Sequence, residues 1–327
     1  MNEFLFNILA WINSWVGSWG WAMVIFTIMV RLVLTPLDLK SRISMRKTTK
    51  LQPKMAELQK KYANDKEKLN AKTAELYKKE GVNPLSSCLP LLLTWPILIF
   101  VFNAMRMAAN KEILEQITGM MNNGTLTMEP WLWVKNLWMP DSLFSLAVPD
   151  AKMLNMIPTD QWVSWFNGLG DNIPALLQEL NLTADSFSKT ALTGTVTAIV
   201  EKLNTIEVYK NALAGTGYSV PLLGSIPRMF NGLMLLPILS AVTQIIMTKV
   251  SGTNQQSAGN DQTAATGKFM QWFFPLFSLV LCFGYSAAFA LYWVAGNVVM
   301  MVQTLVINKV LDKKEEQQKI VGEGTVK

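Results

Sequence analysis

The sequence predicts an all-α membrane protein with five transmembrane helices, a cytoplasmic helical hairpin and a long outer segment. Three observations carry this. Half of the 327 residues are apolar, only 16% are charged and the mean hydropathy is +0.24, which leaves too little charge to cover a soluble chain of this size. The apolar residues gather in runs of about twenty, the length a bilayer core requires. Basic residues then cluster beside those runs. Between Lys40 and Lys79 there are thirteen Lys/Arg and four Asp/Glu, an excess of nine, which places this loop in the cytoplasm.

The elements follow in order. Residues 1–18 read as an amphipathic helix lying along the interface, with Phe4, Ile8, Trp11, Ile12 and Trp15 at helical spacing. Glu3, with no basic stretch, no small-residue cleavage site and no cysteine for lipid attachment nearby, predicts that this end is retained and outside. The first span is 19–39. In the segment 40–84, Leu51, Met55, Leu58 and Tyr62 recur at helical spacing, and Leu69, Thr73, Leu76 and Tyr77 repeat a similar spacing after Asn64-Asp65. Two short helices folded back on each other fit this pattern. The second span is 85–105, with Pro90 and Pro96 inside it. The region 106–228 carries eight basic and eleven acidic residues and is expected outside. A third span is expected at 229–248 and a flexible cytoplasmic loop at 249–268. Residues 269–308 hold no charge, and a single helix of that length would be about 60 Å, twice a bilayer core. Two spans joined near Gly284-Tyr285-Ser286-Ala287 fit better, followed by a polar cytoplasmic tail, 309–327.

Arg31 is the sharpest functional signal. It lies nine residues before Lys40, so about 13 Å up the helix from the cytoplasmic edge, a depth that strains snorkelling. Thr27 and Thr35 flank it at i−4 and i+4, and a charge in a polar stripe points to a hydrated cavity. Ser240, Thr243, Gln244 and Met247 share one face of the third span, and Trp293, Asn297, Met300 and Thr304 one face of the last. Interhelical hydrogen bonding alone would also explain these polar residues. Thr94 and Asn103 lie nine apart, on opposite faces of the second span, so only one of them faces a shared cavity. Cys88 and Cys282 sit in apolar runs and read as buried small residues. With no histidine, no phosphate loop and no nucleophile–base pair, neither a metal, a cofactor nor an enzyme activity is expected. The basic balance fits orientation and anionic lipid rather than nucleic acid.

The strings VRLVLTPLDLKSRISMRK, QPKMAELQKKYANDKEKL, NPLSSCLPLLLTWPI and FPLFSLVLCFGYSAAFALYWVAGNVVMMVQTL resemble, in order and spacing, the signature regions of the YidC/Oxa/Alb family of membrane protein insertases. The resemblance covers the membrane core and both cytoplasmic loops. It implies five helices around a hydrophilic groove open to cytoplasm and lipid but closed outside. It also implies a bacterial cell membrane location, with the carboxyl end inside, and client membrane proteins as partners, with ribosome and Sec-type translocon left open. The family's functional arginine maps onto Arg31, and its client-receiving hairpin onto Lys40–Glu80. Groove residues would be Arg31, Thr27, Thr35, Thr94, Ser240, Thr243, Gln244, Trp293, Asn297 and Thr304. The alternative reading is a small transporter or anion channel with Arg31 as its ion site. Many family members carry a large domain behind an extra first span, or a lipid-modified cysteine, and neither is expected here. Glu129–Ser142 still resembles the family's outer segment. Residues 146–226 look like an insertion, expected to be a small helical subdomain.

Overall fold

The computed structural model describes residues 2–81, 89–213, 219–220, 224–226, 229–251 and 261–324. Among them are twelve α-helices and one two-residue antiparallel pairing, Ser219–Val220 with Gly224–Ser225. Helix α1 is Asn2–Val16 and α2 is Trp19–Lys61. Helices α3 and α4 are Lys66–Lys79 and Leu89–Asn123. Within the insertion α5 to α9 are Ala151–Asn155, Thr159–Leu169, Ala175–Gln178, Leu192–Leu203 and Glu207–Leu213. The last three are α10, Leu235–Val250, α11, Asp261–Gly284, and α12, Ala287–Gly324. The chain divides into two compact units. The first comprises Met1–Phe26, Phe100–Ile238 and Val280–Trp293, and the second Thr27–Ile99, Leu239–Leu279 and Val294–Lys327.

Several boundaries differ from the expected ones, and in most cases the helix runs on. Helix α2 does not stop at residue 39, because all 43 of its residues are continuous through Pro36 and Pro53 into the first arm of the hairpin. Residues 40–61 hold no glycine, and their Lys, Arg, Met, Leu and Gln are good helix formers, so a change in polarity occurs without a change in conformation. Helix α4 passes residue 105 and reaches Asn123, where Gly124 at φ +63 ends it. Helix α12 likewise extends through the expected tail to Gly324. In contrast, α10 starts at Leu235 rather than Met229, since residues 229–234 belong to the buried outer network described below. Helix α11 starts at Asp261, inside the expected flexible loop, of which 252–260 lie outside the described residues. The break between α11 and α12 falls at Tyr285-Ser286, as the uncharged run required.

Two of the described helices, Trp19–Lys61 and the stretch Ala287–Gln317 of α12, are long and apolar enough to cross a membrane, and Leu235–Val250 and Gln271–Gly284 are shorter apolar helices. Leu32, Val33, Trp272, Leu276, Val280, Val302 and Val306 all stand exposed on them. So much outward-facing aliphatic and aromatic surface needs lipid rather than water around it.

In the first unit, α1 buries Leu9 and Ile12 and exposes Phe4, Trp11 and Trp15, so its apolar residues divide between a packed face and an outward one. The insertion is helical. Its core gathers around Phe187, which stacks on Trp162 at 5.4 Å between ring centroids and meets Trp165 edge-on. Tyr209 is buried and donates from its hydroxyl to the Pro149 carbonyl, 2.8 Å away. Cys282 is buried, as a small apolar residue would be, whereas Cys88 lies outside the described residues.

The segment from Glu129 to Ser142 organises this unit. Glu129 Oε1 accepts from the Trp19 amide at 3.1 Å and so caps α2. Asp141 is fully buried, and its carboxylate accepts from Trp133 Nε1 at 3.1 Å and from the amides of Met234 and Leu236 at 3.1 and 2.7 Å, capping α10. The carbonyls of Met139 and Leu137 accept from the amides of Ala287 and Ala288, both at 2.9 Å, capping α12. Asn231 ties the segment together. Its side-chain amide donates to the carbonyls of Asn136, Met139 and Pro140 at 2.9–3.0 Å, and its Oδ1 accepts from the Asn136 amide at 2.8 Å.

Replacing Asn231 leaves the buried Asn136 amide and Pro140 carbonyl without a partner among the described residues, at about 1–3 kcal/mol each, and takes one of two hydrogen bonds from the Asn136 and Met139 carbonyls. Asn231→Ala is therefore expected to lower the melting temperature in detergent and expose 129–142 to protease, whereas an unchanged melting curve would deny the network this role. A second expectation concerns pH. Burial pushes the Glu112 carboxyl up to about 7, with Glu115 acting in the same direction, Lys111 opposing it and Glu129 adding to it. The fold thus favours the protonated acid. That stabilisation is complete below the ordinary value near 4.5 and lost as pH rises through about 7. Protease resistance of the first unit should fall across this window, and Glu112→Gln should flatten the dependence.

Candidate functional site

The Thr27–Arg31–Thr35 face forms as the spacing requires. Thr27 is buried and Arg31 half-buried. The Arg31 guanidinium lies along the backbone of α12 at Gly296. A Cβ on that glycine would stand 3.3 Å from Arg31 Nη2, 3.6 Å from Nε and 3.8 Å from the Thr27 methyl. Only a residue without a side chain lets the cation lie this close to the helix at no cost in space. Among the described residues no hydrogen bond or ion pair is made to the guanidinium; the Arg31 carbonyl, in contrast, is used.

The other polar residues are occupied by tying helices together. Gln303 Nε2 donates to the Arg31 carbonyl at 3.1 Å and to Thr35 Oγ1 at 2.7 Å, joining α12 to α2. Asn297 Nδ2 donates to Thr243 Oγ1 at 3.1 Å and to the Ser240 carbonyl at 3.5 Å, joining α12 to α10. Thr304 accepts from Arg42 and donates to the Met300 carbonyl at 2.6 Å. Arg31, Thr27, Thr35, Ser240, Thr243, Asn297 and Thr304 are thus linked through α2, α10 and α12 of the second unit. Gln244 is half-buried, and among the described residues its side chain makes no hydrogen bond. Trp293 belongs to the first unit, where it packs on Phe289 at 5.8 Å between ring centroids. Thr94 lies on α4. Sequence reasoning missed Gln303 and Gly296. Gln303 lies at i+3 from Met300, on the stripe already drawn through that residue, so its periodicity was available. Gly296 had no such signal, because its role depends on where Arg31 lies.

Toward the carboxyl end of α2 a charged ladder continues the tie. Arg46 pairs with Asp312 at 2.7 Å, donates to the Asn308 carbonyl and Oδ1 at 3.1 and 3.2 Å, and stands 3.8 Å from Glu315, which Lys50 meets at 3.0 Å. The first arm of the hairpin is therefore fastened along α12. The second arm is not held in this way: no residue of α3 is buried, and its ties are the Asp65 cap on the Lys68 amide and the Lys54–Glu80 pair at 2.7 Å. The groove between the arms is lined by Lys54, Lys61, Lys72 and Lys79 with Glu57 and Glu75, over Leu58 and Leu76.

Because Arg46 meets four partner groups, Arg46→Ala should loosen the extension of α12 by about 1–2 kcal/mol, more than a single surface pair is worth. Hydrogen exchange should then speed up across 308–316 while the first unit stays unchanged. Unaltered exchange there would show that the ladder holds nothing.

The family model described as 60Kd inner membrane protein matches residues 11–315. Curated relatives named membrane protein insertase YidC match as well. That of Campylobacter jejuni is 37% identical over 145 residues, 44% of this chain and 25% of the relative. That of Wolinella succinogenes is 38% identical over 144 residues, 44% of this chain and 24% of the relative. The Chlorobaculum parvum protein is 26% identical over 309 residues, 94% of this chain and 36% of the relative. The chain thus spans about a quarter to a third of the length of the relatives it matches. With the family model covering nearly all of it, this chain belongs to the 60Kd inner membrane protein family.

Proposed function

We propose that the chain is a membrane protein insertase that guides client transmembrane segments from the cytoplasm into lipid, with Arg31 as the group that receives their polar or acidic ends. Supporting this are the family, the insertase named among its relatives, and one observation above all. The half-buried Arg31 guanidinium makes no hydrogen bond or ion pair among the described residues, where the acid acting on it electrostatically is Asp38 on its own helix, although its neighbours Thr35, Gln303, Asn297 and Thr243 are all hydrogen-bonded. A cation in an apolar setting with no counter-ion in contact is costly unless water or a visiting anion reaches it. A client carboxylate about 4 Å away gains on the order of 4 kcal/mol at an effective dielectric of about 20. The client's apolar segment meanwhile moves along the exposed aliphatic faces into the bilayer.

In this reading five spans surround a hydrophilic groove lined by Arg31, Thr27, Thr35, Thr94, Ser240, Thr243, Gln244, Trp293, Asn297 and Thr304. The amino end is outside, and the carboxyl end and the hairpin are cytoplasmic in a bacterial cell membrane. The basic groove of the hairpin suits anionic headgroups and arriving acidic segments, each basic residue near such a surface contributing about 1 kcal/mol. Ribosome and Sec-type translocon are the natural further partners of such an activity.

Reconstitution into liposomes with a single-span client carrying an acidic tail tests this. Wild type and Arg31→Lys should insert the client, and Arg31→Ala should lose about tenfold, the equivalent of about 1.4 kcal/mol. Equal insertion by wild type and Arg31→Ala removes Arg31 from the mechanism, and chloride flux without insertion would favour an anion channel.

A further inference from the structure

We propose that Leu132, at the tip of the Trp131–Val134 turn, is a lipid anchor that dips from the first unit into the outer leaflet beside the start of α2. The turn is tight. The amides of Trp131 and Val134 donate to each other's carbonyls, both at 2.9 Å, leaving Leu132 and Trp133 as the two loop residues. Leu132 has φ +50, the left-handed region, at the loop position where hairpins of this kind normally place glycine. A leucine there is strained and is also 66% exposed. A bulky apolar side chain held in an unfavourable backbone conformation, only to face water, has neither a packing nor a conformational reason. Facing acyl chains supplies one.

The surroundings identify the occupant. Trp131 is buried against Gly20, where a Cβ would overlap its indole ring, and meets Trp21 edge-on at 5.8 Å between centroids. This seats the turn at the first turns of α2, the apolar helix long enough to cross a membrane. Trp21 is itself 52% exposed, and Trp15, at the end of α1 just before Gly17, is 77% exposed. Outward-facing tryptophans at the start of a span mark the headgroup level of a bilayer. Leu132 therefore shares a level with side chains that favour the interface. A lipid surface fits this set better than a protein partner, because the patch belongs to the span's own periphery. The inference rests on membership of a membrane protein family and not on insertase activity or Arg31.

The full chain, with Cys88 and Cys282 replaced by alanine, is reconstituted in vesicles of phosphatidylethanolamine and phosphatidylglycerol. It carries an NBD fluorophore on Leu132→Cys or, as the control, on Lys189→Cys, an exposed site in the insertion. With iodide on both sides, NBD at 132 should lose its emission to lipids bearing a doxyl group near the headgroup and not to iodide, and NBD at 189 should show the reverse. Quenching by iodide at 132 overturns the proposal, and so does protection from both quenchers, the mark of a protein-covered site. A benzophenone amino acid at 132 in the chain with its native cysteines gives an independent reading. Photocrosslinking to labelled phospholipid is expected, and its absence is equally fatal.

Discussion

A helix begins with amides that have no partner inside it, and an apolar helix beginning at a membrane surface cannot leave them bare. The segment Glu129–Ser142 answers that constraint for three helices at once. Glu129 serves α2, the Leu137 and Met139 carbonyls serve α12, and Asp141 serves α10. Two of the three caps are carboxylates, which also sit favourably at the positive end of a helix dipole. One short stretch of chain therefore sets where three long helices start, and it does so with buried hydrogen bonds rather than apolar packing. This requires a rigid segment, which is the part played by Asn231, ninety-odd residues away, and by the mutual amide contacts of Asn136 and Gln116.

In the second unit the same three helices exchange Asn297–Thr243 and Gln303–Thr35 hydrogen bonds. Such ties are worth only about 0.6–2 kcal/mol each within a membrane, so their main contribution is to set spacing and rotation. Gly296 is the counterpart of these ties. It removes a side chain where Arg31 must lie, so the cation is kept against the helix backbone without a contact ion pair among the described residues. Polar residues that satisfy one another and a charge that does not are two separate uses of one stripe.

Local periodicity made much of this legible. The Thr27–Arg31–Thr35 face, the Ser240–Thr243 and Asn297–Thr304 faces and the break near Gly284 all follow from spacing within one helix. The helical nature of the insertion was also accessible. What spacing could not supply was the capping network, because Asp141 and Asn231 reach their partners across 91–95 residues in most of their contacts. Helix ends were also misplaced wherever polarity and conformation change at different points. At Lys40 and Asn308 the surroundings turn from apolar to charged while the residues remain good helix formers, so hydropathy marks a boundary that the backbone does not have.

That continuity changes how the hairpin works. Two loosely joined helices, as the short seam of Leu51, Met55, Leu58, Leu69 and Leu76 suggests, would move together relative to the spans. Instead the first arm is the end of α2, and Arg42, Arg46 and Lys50 secure it along α12. Bending it would break several charge-assisted bonds and a helix at once. Helix α3 has no buried residue and is joined through the turn at Asp65, a few exposed ion pairs and the thin apolar seam. Exposed pairs of this kind contribute little and weaken with salt. Movement is therefore concentrated in the second arm, about the hinge at residues 62–65, while the first arm remains a fixed extension of the helix that carries Arg31. In the proposed function, a client or headgroup drawn to Lys72 and Lys79 would act on the arm that is not fastened along α12.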